Sequence, residues 1–278
     1  MEETFVLQDL HKVEIEILDE IDRICRKNNI NYCLVGGTLL GAVRHGGFIP
    51  WDDDLDVAMP RNDYEKFIDI CKNELSDDFY LHSIETDKTY WLPFIKIRKK
   101  YTIFEERNTA GLGCKTGIYV DIFPLDDATV IDSSKKRFVT QVIKEISALY
   151  LFKIGFYKQH YCRPFRKAIY WFMSMIPTVK LHKIQNRLMK LYNGDFSKYF
   201  INYGSNYSPI KQTMPKETYI PFKEISFEGK MYFAPNDTNY YLKRIYGENY
   251  MELPPVEKRI THNPEKLVFD TRIQNENN

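Results

Sequence analysis

The chain has 278 residues, with 39 lysines and arginines against 38 aspartates and glutamates, 44% apolar side chains and 15% aromatic ones. That length supports a substantial core in one or two domains, and the near-neutral charge disfavours both a nucleic-acid binder and a charged disordered chain. Five scattered cysteines without a C-x-x-C pair exclude a zinc ribbon or dithiol redox centre and fit a reduced, cytoplasmic setting.

The N-terminus mixes acidic and apolar residues, the opposite of a signal peptide, so export is not expected. Leu10, Val13, Ile17, Ile21 and Ile24 fall at helical spacing and predict an amphipathic helix over 7–27, ended by Asn28-Asn29. YCLVGG (32–37) reads as a buried strand running into a glycine turn, and LDVAMP (55–60) as a second strand, with a short helical or looped connection between them. NDYEKFIDICKNEL (62–75) carries Tyr64, Phe67, Ile68 and Cys71 on one stripe and predicts another helix. From 79 to 125 the runs FYLHSI, PFIKIRKK, TIFEER and GIYVDIF predict strands, the last closed by Pro124, in a sheet with helices on one side. Asp132 or Ser133 caps a helix running through KKRFVTQVIKEISALYLFKI. Short strands are expected around YIPFKEISFEGKMYF (219–233), then a helix capped by Asn236 or Asp237 and stopped by Gly247.

The fold class expected is α+β: a mixed sheet flanked by helices, with an added helical subdomain. The chain divides into a catalytic core (1–128), a basic aromatic helical region (129–215) and a C-terminal region packing on the core (216–278).

WDDDLD (51–56) concentrates four carboxylates. In extended backbone, Asp52, Asp54 and Asp56 share one face while Asp53, Leu55 and Val57 share the other. Two carboxylates at i and i+2 repel unless a hard cation neutralises them, and a divalent metal, Mg2+ or Mn2+, is the simplest resolution. A solvated acidic turn competes, although Trp51, Leu55, Val57 and Met59 argue against it. An EF-hand fails, because Val57 stands where glycine is required and Asp63 where the bidentate glutamate belongs. An Asp-x-Asp glycosyltransferase site stays open.

Upstream, the glycine turn Gly36-Gly37-Thr38 permits close approach of a phosphate, and helix-start amides there can donate to it. Downstream, Asp121 sits in the apolar strand IYVDIF, where a lone carboxylate is costly without a charge partner. Structural turn or cap duties suit Asp126 and Asp127 better. Glycine turn, Asp54 and Asp56, and a third carboxylate, Asp121, together describe a nucleotidyltransferase-type site for metal-assisted phosphoryl transfer. Asp121 is the candidate to activate an acceptor hydroxyl. Lys96 and Arg98 alternate onto one strand face and could reach phosphate oxygens, with a solvated charge pair as the competing reading. Arg44 and His45 lie in the connection after the glycine turn, and His262 is a candidate donor contact or proton carrier with a structural role as its rival.

GGTLLGAVRHGGFIPWDDDLDVAMPR, KIRKK, VDIFPLD and YLKRIYGENYMELPP followed by His262 resemble the signature of the LicD family, whose relatives include fukutin-type transferases. The resemblance implies a nucleotidyltransferase-like fold. It also implies transfer of a phosphorylated alcohol, above all phosphocholine from CDP-choline, onto a sugar of a surface polysaccharide or glycolipid, with CMP leaving. CDP-ribitol and CDP-glycerol are alternative donors, and a nucleotide-sugar glycosyltransferase is the alternative class. By family position Asp54 and Asp56 are the metal pair and Asp121 is the third carboxylate; read from the residues themselves, Gly36, Gly37, Thr38, Arg44, Lys96, Arg98 and His262 are candidate donor contacts.

From Ile146 to Gly194 there is no acidic residue, while nine lysines and arginines sit among many aromatics. The most apolar run, AIYWFMSMIP (168–177), is about half the ~20 residues a spanning helix needs. Peripheral contact with a membrane surface competes here with an ordinary helical subdomain carrying a positive face. No nucleic-acid partner is expected.

Overall fold

A computed structural model describes residues 2–274 except 108, 195, 196, 260, 262 and 263. The chain opens with α1 (Glu2–Asn28), which buries Leu10, Ile17, Leu18, Ile21 and Ile24 in the main core and begins before the predicted boundary. β1 (Cys33–Leu34) is short, because the chain turns into α2 (Gly36–His45) directly at the glycines. The connection left open between helix and loop is therefore helical. β2 (Asp56–Pro60) leads into α3 (Arg61–Glu74), which buries Tyr64, Phe67 and Cys71, the large rings contributing about 2 kcal/mol each on burial.

β3 (Phe79–His82), β4 (Ile95–Lys99), β5 (Ile103–Glu105) and β6 (Tyr119–Ala128) follow. The main sheet has seven strands, with the order β1-β2-β6-β4-β3 at its centre. β2 runs parallel to β6, whereas β1 with β2, β4 with β6, and β3 with β4 are antiparallel. The fold is thus α+β with a mixed sheet.

Pro124 does not close β6 as the sequence suggests. The Asp121 amide donates to Leu55 O on the β2 side at 2.9 Å, so by alternation the Pro124 nitrogen faces the other edge. There β4 pairing ends at Ile122 and the next partner begins only at Asp126, so the missing N–H breaks no ladder bond. Asp126 is likewise no turn residue. It is fully buried in β6 and gripped by Arg61 of α3, with Arg61 Nε 2.7 Å from Asp126 Oδ1.

α4 (Ser134–Lys153) is capped by Ser133, whose hydroxyl accepts from the Lys136 amide at 3.1 Å. α5 (Phe156–Gln159), α6 (Pro164–Met173) and α7 (Thr178–Met189) pack with α4 around Ile146, Leu149, Tyr150, Tyr170 and Leu181. β7 (Tyr199–Ile201) then pairs with the far end of β6, and β8 (Thr213–Pro215) with β7, so the strands after the helical region return to the main sheet. After α8 (Lys216–Tyr219), β9 (Lys223–Phe227) and β10 (Lys230–Ala234) form a hairpin, and α9 (Thr238–Tyr246) is capped by Asp237, which accepts from the Tyr240 amide. β11 (Lys266–Val268) pairs with β5. All five cysteines are free thiols. Among the described residues no helix is long and apolar enough to cross a membrane.

Candidate active site

The register of three neighbouring strands sets the centre of the site. Asp56 on β2 stands opposite Asp121 on β6, and Asp121 stands opposite Lys96 on β4. This row borders an open cavity of about 800 Å³, whose wall also carries Asp52 and Asp54. Asp53, which precedes β2, is buried and does not line that cavity.

The acidic segment is held from two sides. The Thr38 hydroxyl accepts from the Asp56 amide at 2.8 Å, and His11 Nε2 on α1 lies 2.8 Å from the Asp52 carbonyl oxygen. His11 is itself stacked on Phe48 with ring centroids 3.8 Å apart. Gly36 adopts φ +57, and a Cβ there would lie 2.7 Å from Asp56 Oδ2; a Cβ on Gly37 would lie 2.5 Å from Asp52 Oδ2. The glycines therefore admit the protein's own carboxylates to the start of α2, where the sequence predicts the close approach of a phosphate. The Gly36 amide donates to the Tyr241 hydroxyl at 3.1 Å.

Lys96 Nζ lies 2.8 Å from Asp121 Oδ1, an ion contact without hydrogen-bond alignment, and 3.8 Å from Glu106 Oε1. It also sits 3.3 Å from the centroid of the Tyr119 ring. Burial raises the Asp121 carboxyl above the usual carboxylate range; Lys96 opposes the rise, and Asp54 and Glu106 add to it. Asp56 is likewise pushed up by burial, then by Asp54, Asp121 and Asp52, with Lys96 again opposing.

Arg98 shares the strand face of Lys96 but not its exposure to the cavity. Its Nε donates to His82 Nδ1 at 2.8 Å and its Nη1 to the Gly117 carbonyl, while His82 Nε2 meets Asp87 Oδ2 at 2.9 Å. The structure places Lys96 in the cavity wall and Arg98 behind it. Thr38 also lies off the wall, whereas Gly36, Gly37 and Arg44 are on it. Arg44 Nη1 donates to the carbonyls of Tyr250 and Glu252 at 3.0 and 3.2 Å, holding the C-terminal loop at the cavity rim. His45 stays off the wall, edge-on to Trp51. His262 lies outside the described residues.

Two groups were missed in the sequence. Glu14 on α1 is buried, its Oε2 has no hydrogen-bond partner among the described residues, and burial together with Asp54, Asp53 and Asp52 holds its carboxyl well above the normal range. Its signal was a carboxylate on the apolar stripe four residues after Leu10. Tyr207, Tyr241 and Tyr246 form an aromatic wall facing the acidic row, with the Tyr207 and Tyr246 rings 5.9 Å apart and edge-on. Tyr241 and Tyr246 come from α9 and Tyr207 from the loop between β7 and β8, so no local pattern announced the wall.

Among the described residues no three carboxylate, histidine or cysteine side chains converge as a ready-made metal cage. The donor set nevertheless fits Mg2+ or Mn2+ in kind. It is all carboxylate oxygen, its members raise one another's proton affinity, and Mg2+ is ordinarily held by one or two carboxylates with phosphate oxygens completing the shell.

A mixed sheet that lines up carboxylates from adjacent strands at an open cavity, behind a glycine-started helix, defines a nucleotidyltransferase-like domain. The family described as LicD/FKTN/FKRP, nucleotidyltransferase domain, matches residues 29–168, and the chain belongs to this LicD family of phosphotransferases. It is 30% identical to the lipopolysaccharide cholinephosphotransferase LicD of Haemophilus influenzae, over 92% of this chain and 95% of that protein. An uncharacterized protein of Rickettsia prowazekii is 34% identical over 31% of this chain and 39% of its own length.

Proposed function

We propose that the protein transfers a phosphoalcohol, phosphocholine from CDP-choline, to a sugar hydroxyl of a cell-surface polysaccharide or glycolipid, releasing CMP. The observation that carries this reading is the row Asp56, Asp121 and Lys96 across three adjacent strands at the cavity. Likeness to a cholinephosphotransferase along nearly the whole chain supports the cargo.

In this reading Asp54 and Asp56 hold a magnesium or manganese ion, with Asp121 as the third carboxylate. Such an ion neutralises charge on the donor's diphosphate. Lys96 supplies fixed positive charge beside the phosphates, and Gly36 and Gly37 leave room for the Asp56 and Asp52 carboxylates against the start of α2. The acceptor oxygen attacks the phosphorus bearing choline, its bond to the CMP oxygen breaks, and CMP leaves. Asp121, whose carboxylate burial makes more basic than usual while Lys96 opposes the rise, takes the hydroxyl proton. The aromatic wall of Tyr207 and Tyr246 suits a quaternary ammonium, which binds over ring faces.

Incubation with CDP-choline, CDP-ribitol, CDP-glycerol and nucleotide sugars, with Mg2+ or with EDTA, tests the reading. CMP release from CDP-choline that EDTA abolishes and Asp54→Asn or Asp56→Asn removes is expected. Release of a nucleoside diphosphate from a nucleotide sugar would place the enzyme in the glycosyltransferase class instead.

A further inference from the structure

Helix α6 is amphipathic in the wrong sense for a soluble subdomain. Its inner side is pinned to α4: the Tyr170 hydroxyl donates to Glu145, and Arg166 Nη2 donates to the same carboxylate at 2.8 Å. At about 100° per residue, Phe165, Ala168 and Phe172 point opposite Tyr170, with Ile169 and Trp171 flanking them. These side chains are turned out to solvent, Phe165 80%, Trp171 69% and Phe172 67% exposed, and Tyr161 and Met175 just beyond the two helix ends are exposed as well. A contiguous aromatic surface of this kind marks an interaction site.

The surrounding charge selects the occupant. Arg163 and Lys167 at α6, and Lys180 and Lys183 on the following helix α7, are exposed, inside a 49-residue stretch, 146–194, without a single acidic residue. A second copy would bring the same positive surface and be repelled. Aromatic anchors ringed by lysine and arginine match the headgroup boundary of an anionic bilayer, where rings enter the interface and cations meet lipid phosphates. We propose that α6 docks on an anionic membrane surface, with Phe165, Trp171 and Phe172 seated in the headgroup boundary. Trp91 both lines the catalytic cavity and packs against the cluster that includes Tyr170, so the cluster that seats α6 also meets the cavity wall. This surface stands independently of the reaction proposed above.

Flotation of the full chain with phosphatidylcholine vesicles, and with vesicles also containing phosphatidylglycerol, tests the proposal. Binding to the anionic vesicles is expected and weakens as salt rises. The double variant Phe165→Ser/Phe172→Ser, with thermal unfolding unchanged because both rings are exposed, lowers the bound fraction by about tenfold or more. Lys167→Glu/Lys180→Glu acts in the same direction. No flotation on anionic vesicles, or flotation that the double variant leaves intact, overturns the proposal. A concentration-dependent dimer dissolved by the same double variant would assign the face to a second copy.

Discussion

Gly36 and Gly46 bracket α2 with the same left-handed backbone, φ +57 and φ +72, and differ only in what a side chain would meet. Beyond Gly46 nothing lies within 4 Å of a built Cβ, whereas at Gly36 it would stand 2.7 Å from Asp56 Oδ2. A left-handed conformation costs a non-glycine residue about 1 kcal/mol, so both alanine variants bear that much. Gly36→Ala adds a contact well inside the ~3.5 Å separation at which such atoms attract. Because Thr38 holds the Asp56 amide and Val35 donates to its carbonyl, the carboxylate has to move rather than the strand. Urea unfolding should show a loss of about 1 kcal/mol for Gly46→Ala and about 2–3 kcal/mol for Gly36→Ala. CMP release should survive in Gly46→Ala and fall about 100-fold or more in Gly36→Ala, the order expected when a reacting group is misplaced by a fraction of an ångström to an ångström. Equal effects of the two variants on stability and turnover would refute the claim that Gly36 exists to seat Asp56.

Other expectations follow from single contacts. Asp126→Ala leaves Arg61 buried and uncompensated, and should lower unfolding free energy by about 3–5 kcal/mol in a urea titration. Burial, with Arg98 beside it, lowers His82 to about 4, so the unfolded chain binds its proton first as pH falls. The stability His82 contributes is therefore complete above about 6.5 and declines by about 3 kcal/mol toward pH 4, and His82→Gln should flatten that slope between pH 6.5 and 5. Lys96→Met keeps the apolar stem against Tyr119 but removes the charge, and should lower kcat/KM for CMP release about 100-fold or more. Wild-type turnover in that variant would take Lys96 out of the reaction.

The alternation in WDDDLD was legible because period-two geometry needs no partner strand: Asp52, Asp54 and Asp56 line the cavity and Asp53 does not. Asp121 was legible as a carboxylate set in apolar sequence that needs a charge partner, and Lys96 stands beside it. Lys96 and Arg98 could not be told apart, because their difference comes from β3, where His82 lies within reach of Arg98. Pro124 and Asp126 misled for a related reason. Pro124 is tolerated because β4 ends beside it, and Asp126 is buried because α3 brings Arg61 to it, neither of which leaves a mark in local composition. The tyrosine wall and the Glu14 carboxyl belong to the same class of tertiary facts: chain folding brings both to the acidic row from distant segments.

The central claim is tested most directly by following both products at once. With CDP-choline labelled in its phosphocholine and a glycolipid acceptor in Mg2+, the account predicts CMP and labelled glycolipid in equal amounts, and neither from Asp56→Asn. Label left on the donor while a nucleotide sugar is consumed, or an Asp56→Asn variant with undiminished transfer, would contradict it.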